Sequence, residues 1–285
     1  MGSDPVSAAL IALLLGLVQG ATEFLPISSS AHLYAIPYLF GVNDPLLSSL
    51  AFGAVIHLGT LAAVLVALRT DVTRLLLVSL RTITSGGRRR GEPADERLIV
   101  AIIIGTIPAV LLGLAAGDLL EGAVRTPLVV AGAVTAGALL LLFAERVGSR
   151  ERPLRSVGVI DGLMIGLAQA LALIPGISRS GATISGGLLL GFRREAAARL
   201  GFLLGIPAIA GAGTIELRRL LESSEDLAAS APLLVIGVVS AFISGLFAIK
   251  LLFRILDGGS TRIFVVYRLA FAAVLVTSFV LRGGQ

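Results

Sequence analysis

Apolar residues fill this 285-residue chain in long runs, separated by short clusters of arginine, acidic residues and glycine. Runs of roughly 20 apolar residues are long enough to cross a bilayer core as helices. The pattern predicts such helices at about 46–69, 98–118, 126–145, 195–216, 232–254 and 262–282. Two further stretches, 5–40 and 157–191, are equally apolar but interrupted near their middles, at Glu23–Ser28 and at Pro175-Gly176. Each divides into two half-length helices, about 5–20 with 29–40, and about 157–173 with 180–191. Non-helical backbone at that depth survives only when buried in protein or facing water. The stretches are therefore read as re-entrant hairpins. Counting them as full crossings gives eight spans, but puts Pro26 and Pro175-Gly176 at mid-membrane. The predicted fold is an all-α polytopic membrane protein with six transmembrane helices and two re-entrant helical hairpins.

The two interrupted stretches are variants of one another. At a constant offset of 150, Gly16, Leu17, Gln19, Ile27, Ser28 and Ser30 meet identical residues at 166, 167, 169, 177, 178 and 180. Matched broken helices in two halves of a membrane protein mark an inverted repeat with a site near the midplane. The chain reads as a single integral membrane domain over 1–285, with repeats at about 5–145 and 157–282. Arginine placement agrees with that topology. Loops at 69–97 (with the Arg88-Arg89-Arg90 run), 146–155, 193–199 and 250–268 fall on one side and hold 18 of the 23 basic residues. The other side receives Arg125, Arg218, Arg219 and Arg282, with Arg179 inside the second hairpin. The positive-inside rule makes the basic side cytoplasmic. Both termini are then outside, and three crossings between the repeats make them inverted.

Composition narrows the class further. Hydrophobic residues make up 56% and charged residues 14%, and the mean hydropathy is +0.97. Soluble domains carry about a quarter charged residues. The 34 glycines suit close helix packing and helix breaks, and strand periodicity is absent, which argues against a barrel. There is no cysteine, so disulfides and thiolate metal sites are excluded. Without tryptophan, interfacial anchoring falls to Tyr34, Tyr38, Tyr267 and the phenylalanines. The opening Met1-Gly2-Ser3-Asp4-Pro5 lacks the basic n-region of a signal peptide, so the first apolar stretch is expected to be retained. A pI near 10.6 is attributed to topology arginines, and no nucleic-acid partner is expected.

The interruptions also carry the chemistry. Ionisable groups inside membrane segments are costly and functional by default. Glu23 follows Gln19 by four residues, so a helical first limb puts both on one face. It can serve as a ligand for a divalent cation such as Mg2+ or Ca2+, or as a general base. Ser28-Ser29-Ser30 can cap the second limb, although three serines exceed what one cap requires. Ser29 and His32, three apart, share a helix face at a spacing that suits a nucleophile–base pair. His57 lies in an apolar span without comparable neighbours and is read as packing or a peripheral polar contact. Arg179, within Pro175-Gly176-Ile177-Ser178-Arg179-Ser180-Gly181 and followed by Thr183, can clamp phosphate oxygens, helped by amides at a helix N-terminus. It can also pair with Glu23 when no substrate is present. An acid, a hydroxyl, an imidazole and a phosphate clamp together suggest phosphoryl transfer on a lipid phosphate or diphosphate. A lipid transporter or flippase with the same repeat architecture is the rival reading.

At these motifs the chain resembles the bacterial undecaprenyl-diphosphate phosphatase family, also called the bacitracin-resistance protein family. Gln19, Glu23 and Phe24-Leu25-Pro26-Ile27-Ser28-Ser29-Ser30-Ala31-His32 carry the first signature, and Pro175 to Thr183 the second. The resemblance implies removal of the terminal phosphate from undecaprenyl diphosphate, which regenerates the carrier for peptidoglycan synthesis. It implies catalytic roles for Glu23, Ser29, His32 and Arg179; Gln19, Ser28, Ser30, Ser178, Ser180, Gly181 and Thr183, beside them in the two breaks, are expected to contact the polyprenyl diphosphate. A divalent cation, a multi-pass location in the bacterial plasma membrane and an outward-opening site follow from it as expectations. Many members carry glutamate where this chain has Gln19, so a second metal-binding carboxylate is missing here. The attacking group (Ser29, His32 or water) and the oligomeric state, homodimer included, are left open by the sequence.

Overall fold

The computed structural model describes residues 5–42, 44–86, 91–121, 126–223 and 227–283. Eleven helices account for almost all of them: α1 (Pro5–Phe24), α2 (Ser29–Phe40), α3 (Leu50–Ala67), α4 (Arg69–Thr84), α5 (Pro93–Glu121), α6 (Pro127–Val147), α7 (Val159–Leu171), α8 (Arg179–Leu189), α9 (Arg194–Ser223), α10 (Leu227–Asp257) and α11 (Arg262–Leu281). Among the described residues, six are long and apolar enough to cross a membrane: α1, α5, α6, α9, α10 and α11. The helices α3 and α4 form a further pair, bent by 84° at Leu68. Large apolar side chains stand exposed around the bundle, among them Leu114, Ile160 and Phe247, each more than 70% accessible. On helices of membrane-spanning length, such a surface suits contact with lipid. The Arg88-Arg89-Arg90 run, Arg125 and Met1–Asp4 lie outside the described residues.

Both predicted breaks are present. The first runs from Leu25 to Ser28, where Pro26 disfavours helix at the residue before it, and the second from Ala172 to Ser178 around Pro175-Gly176. Each ends on a serine in the left-handed half of backbone space, Ser28 at φ 75° and Ser178 at φ 73°. Each of these serines caps the helix that follows. Ser28 Oγ accepts from Ala31 N at 3.4 Å, and Ser178 Oγ accepts from Gly181 N at 3.1 Å. The 28–30 and 178–180 hydroxyl pairs lie 3.2 Å apart in both copies. The two breaks thus match down to side-chain geometry.

Packing follows the same correspondence. Helix α1 packs along α10, and its counterpart α7 along α5. A methyl group on Gly16 would sit 2.4 Å from the Gly237 carbonyl oxygen, and one on Gly166 would sit 2.2 Å from that of Gly105. Small residues at matched positions therefore let each hairpin approach its partner helix at backbone contact, the usual membrane device. Helices α3 and α9 pack together, as do α6 and α11. The core they enclose contains Phe24, Leu141, Ile165, Ile184, Leu200 and Leu252.

Two expectations about helix extent are corrected. The first limb does not stop near residue 20; α1 continues to Phe24 and spans 20 residues. At 1.5 Å per residue that is about 30 Å, whereas α7, with 13 residues, reaches about 20 Å. The stretch 70–84 is not loop but α4, with Leu75 and Val78 buried and Leu76, Leu77, Leu80 and Ile83 exposed. Its arginines interrupted the apolar run without interrupting the helix. An amphipathic helix set nearly at right angles to a span is the geometry of an interfacial segment.

Candidate active site

The two breaks meet inside the bundle. Gly176 N donates to Ser30 Oγ at 3.3 Å, and Ser180 Oγ donates to the Leu25 carbonyl at 2.9 Å. At the junction lies the Glu23 carboxylate, in the last turn of α1 and only 6% exposed. Its Oε1 accepts from Arg179 Nη2 at 2.6 Å. Its Oε2 accepts from Gln19 Nε2 at 3.0 Å, one turn back on α1, and from Ser29 Oγ at 2.5 Å, the first residue of α2. His57, from α3, brings Nε2 within 3.4 Å of the same oxygen and donates Nδ1–H to the Gly53 carbonyl at 2.6 Å. Four elements thus converge on one carboxylate. Arg179 is held from its other side as well, donating Nη1–H to the Gly205 carbonyl at 3.2 Å. A methyl group at Gly205 would lie 2.4 Å from that nitrogen, so the guanidinium occupies space that only glycine leaves.

The site borders a cavity of about 590 Å³ whose wall includes Ser30, Leu33, Tyr34, Phe52, His57 and Ile209. That lining is mainly apolar with a few polar groups at one end, the usual character of a ligand cavity. Glu23 reaches it through His57. In this arrangement the Arg179 guanidinium can bind an anion, and the carboxylate can accept a proton from the hydroxyl that donates to it.

The predicted residues divide into three groups. Gln19, Glu23, Ser29 and Arg179 are brought together directly. Ser28, Ser30, Ser178 and Ser180 form the caps and cross-links that hold the breaks, and the Gly181 amide serves the Ser178 cap. The Thr183 hydroxyl donates to the Arg179 carbonyl at 2.9 Å, staying on its own helix.

The expected Ser29–His32 pair is not formed. Ser29 turns to Glu23, while His32 donates Nδ1–H to the Ser28 carbonyl at 2.7 Å. With that proton placed, Nε2 of the neutral ring accepts from the Tyr267 hydroxyl at 2.7 Å. The ring stacks on Phe271, with centroids 4.2 Å apart. Sharing a helix face allowed the pair, but rings and a carboxylate on other helices offered each side chain a better partner.

Two residues were misread from the sequence. His57 is not peripheral: it touches Glu23 and lines the cavity. Arg268 falls among the loop arginines by sequence position, yet it is fully buried. Its guanidinium donates to the carbonyls of Val134 at 3.0 Å, Pro26 at 3.3 Å, Gly176 at 3.0 Å and Ile177 at 2.9 Å. It therefore pins both breaks to α6. The available signal was the one applied to Glu23, an ionisable residue inside an apolar run.

As to a metal, the described residues contain no group of three or more His, Asp or Glu that could hold one. The Gln19 Oε1 atom, however, is buried beside Glu23 without a hydrogen-bond partner. An unsatisfied oxygen next to a carboxylate suits an oxygen-preferring cation that draws its other ligands from substrate and water.

The sequence profile described as Bacitracin resistance protein BacA matches residues 12–274. The undecaprenyl-diphosphatase of Myxococcus xanthus (strain DK1622) is 46% identical over 270 residues, covering 94% of this chain and 88% of its own. That of Thermomicrobium roseum (strain ATCC 27502 / DSM 5159 / P-2) is 47% identical over 276 residues, covering 93% and 96%. That of Rubrobacter xylanophilus (strain DSM 9941 / JCM 11954 / NBRC 16129 / PRD-1) is 43% identical over 272 residues, covering 95% and 98%. With Glu23, Ser29 and Arg179 assembled where its two broken helices meet, this multi-pass membrane protein belongs to the bacitracin resistance protein BacA family.

Proposed function

We propose that the chain is an integral membrane phosphatase that hydrolyses undecaprenyl diphosphate to undecaprenyl phosphate and inorganic phosphate. It thereby recycles the lipid carrier used in peptidoglycan synthesis. Full-length relatives named undecaprenyl-diphosphatase support the substrate. The observation that carries the chemistry is the Ser29 hydroxyl donating to a carboxylate whose other oxygen holds Arg179.

In the resting site the Glu23 carboxylate stands in for substrate on the Arg179 fork. The terminal phosphate takes that place, and two-pronged contact with the guanidinium orients it. Ser29 Oγ attacks the terminal phosphorus, and its proton passes to Glu23 Oε2, the atom it already faces. The bond from phosphorus to the bridging oxygen breaks, and undecaprenyl phosphate leaves with the electron pair. Glu23 then gives up that proton to solvent. Water attacks the phosphoserine, and its proton passes by way of the Glu23 carboxylate to Ser29 Oγ as the Oγ–P bond breaks. Inorganic phosphate leaves with Ser29 restored. His32 maintains the break by holding the Ser28 carbonyl, a positioning role. Glu23 and Gln19 Oε1 are the residues that would hold a divalent cation, Mg2+ or Ca2+. When bound, the cation supplies neutralisation of the diphosphate charge.

The large cavity is lined by Leu15, by residues 30–42 along α2, and by residues 47–57 and 209–216 in the halves of α3 and α9 remote from Arg69 and Arg194. By the positive-inside rule the cavity mouth lies on the outer face of the plasma membrane.

The test is phosphate release from undecaprenyl diphosphate by purified protein in detergent, with and without chelator. We expect release without any gradient, and less of it once cations are removed. No release would overturn the phosphatase reading. Rapid quench with terminally labelled substrate should trap label on Ser29. Solvent oxygen entering phosphate in one turnover with no labelled protein would overturn the serine route.

A further inference from the structure

At the end of the bundle that carries the arginine-rich loops, a second cavity of about 390 Å³ opens where α6 packs against α11. Its wall is formed by Glu145, Arg146, Arg150, Arg194, Ser260 and Arg262, together with Gly259, and it shares no residue with the Glu23 site. Four guanidinium groups face one carboxylate there, an excess of three positive charges.

Glu145 cannot neutralise the remainder. It is buried and already saturated, accepting from Arg194 Nε at 3.0 and 3.2 Å and from Arg194 Nη2. Arg150 Nη1 donates to it at 3.3 Å and Thr261 Oγ1 at 3.0 Å. That network locks Arg150 and Arg194 into the wall. Arg146 and Arg262 are exposed and have no ion-pair partner among the described residues.

Apolar side chains close in sequence to the lining residues of α6 and α11 are exposed. Phe143 and Val147 on α6 are 57% and 54% exposed, and Ile263 and Val266 on α11 are 61% and 68% exposed. Each lies within about one turn of Arg146 or Arg262. An arginine-lined cavity between membrane helices, together with such side chains, matches a phospholipid in both its parts. Basic pockets of this kind at the positive side of a membrane bind anionic headgroups.

We infer that this cavity binds the phosphate of an anionic membrane lipid. The headgroup is held by Arg146, Arg150, Arg194 and Arg262, and the chains lie along Phe143, Val147, Ile263 and Val266. Inorganic phosphate shares the headgroup chemistry but would make no use of the apolar side chains.

Native mass spectrometry of the full chain, equilibrated in micelles holding equal amounts of phosphatidylglycerol and phosphatidylcholine, tests the site. Wild type should retain phosphatidylglycerol preferentially. The variant Arg146→Gln/Arg262→Gln should lose that preference, by about fivefold for each arginine removed. Both side chains are exposed and unpaired, so the fold should persist. Phosphate release in phosphatidylcholine alone should be unchanged and reports on this. Arg218→Gln/Arg219→Gln, at the other end of α9, should retain as much phosphatidylglycerol as wild type. Equal retention by wild type and Arg146→Gln/Arg262→Gln, or equal loss in both variants, overturns the site. Displacement of phosphatidylglycerol by millimolar inorganic phosphate, with the same arginine dependence, overturns the lipid assignment in favour of free phosphate.

Discussion

Replacing Gly205 by alanine should disable the site without touching a group that reacts. The added methyl would stand 2.4 Å from Arg179 Nη1 and 3.0 Å from Cζ, where non-bonded contact needs about 3.5 Å. The guanidinium must therefore move by about 1 Å. It now donates to Gly205 O at 3.2 Å and to Glu23 Oε1 at 2.6 Å, and a shift of that size breaks at least one of these bonds. Misplacement of a positioning group by about 1 Å costs about a hundredfold in rate, equivalent to about 2.7 kcal/mol. The assay is phosphate release in detergent, with Gly211→Ala as control. Gly211 lies on the same helix, and a methyl there meets nothing within 4 Å. Gly205→Ala should lose about a hundredfold in kcat/KM while Gly211→Ala stays near wild type. Because the loss acts through Arg179, Gly205→Ala should cost almost nothing further in an Arg179→Ala background. Activity of Gly205→Ala within about twofold of wild type, or additive losses in the double variant, would refute the clamp.

Ser29→Ala should lower turnover by about a thousandfold or more and abolish labelled phosphoprotein; residual label on another residue would move the nucleophile elsewhere. His57→Ala removes one polar contact from Glu23 and should cost about tenfold, with His57→Gln recovering most of it because an amide N–H can face the same oxygen. Equal kinetics for wild type and His57→Ala would return His57 to a packing role. Arg268→Met leaves four buried carbonyls without their donor and should destabilise the protein by at least about 4 kcal/mol, read as a fall of about 10 °C in Tm. An unchanged Tm would show that the breaks hold themselves.

Much of this molecule is written in local pattern. The two interruptions were visible because proline removes a donor and restricts its neighbour, and residues 26, 175 and 176 have no other use in an apolar run. Glu23 and Arg179 stood out for the cost of charge in a membrane, and Gln19 for its one-turn spacing from Glu23. The same criterion applied evenly would have marked His57 and Arg268. Both sit where the pattern draws no notice, His57 within an apolar span and Arg268 next to a basic loop. Helix α4 was lost because its arginines end a hydrophobic run, although an amphipathic helix tolerates them on one face.

By itself, then, the sequence determined the helical membrane class, the matched breaks and the set of reactive groups, since each depends on neighbours a few residues apart. Which group faces which was decided only by tertiary structure. Ser29 and His32 share a helix face, yet one turns to a carboxylate on α1 and the other to Tyr267 and Phe271 on α11. Arg268 gains its role from carbonyls between 91 and 242 residues away in the chain. Spacing along a helix sets which side chains can meet. Hydrogen bonds across the packed helices select which of them do.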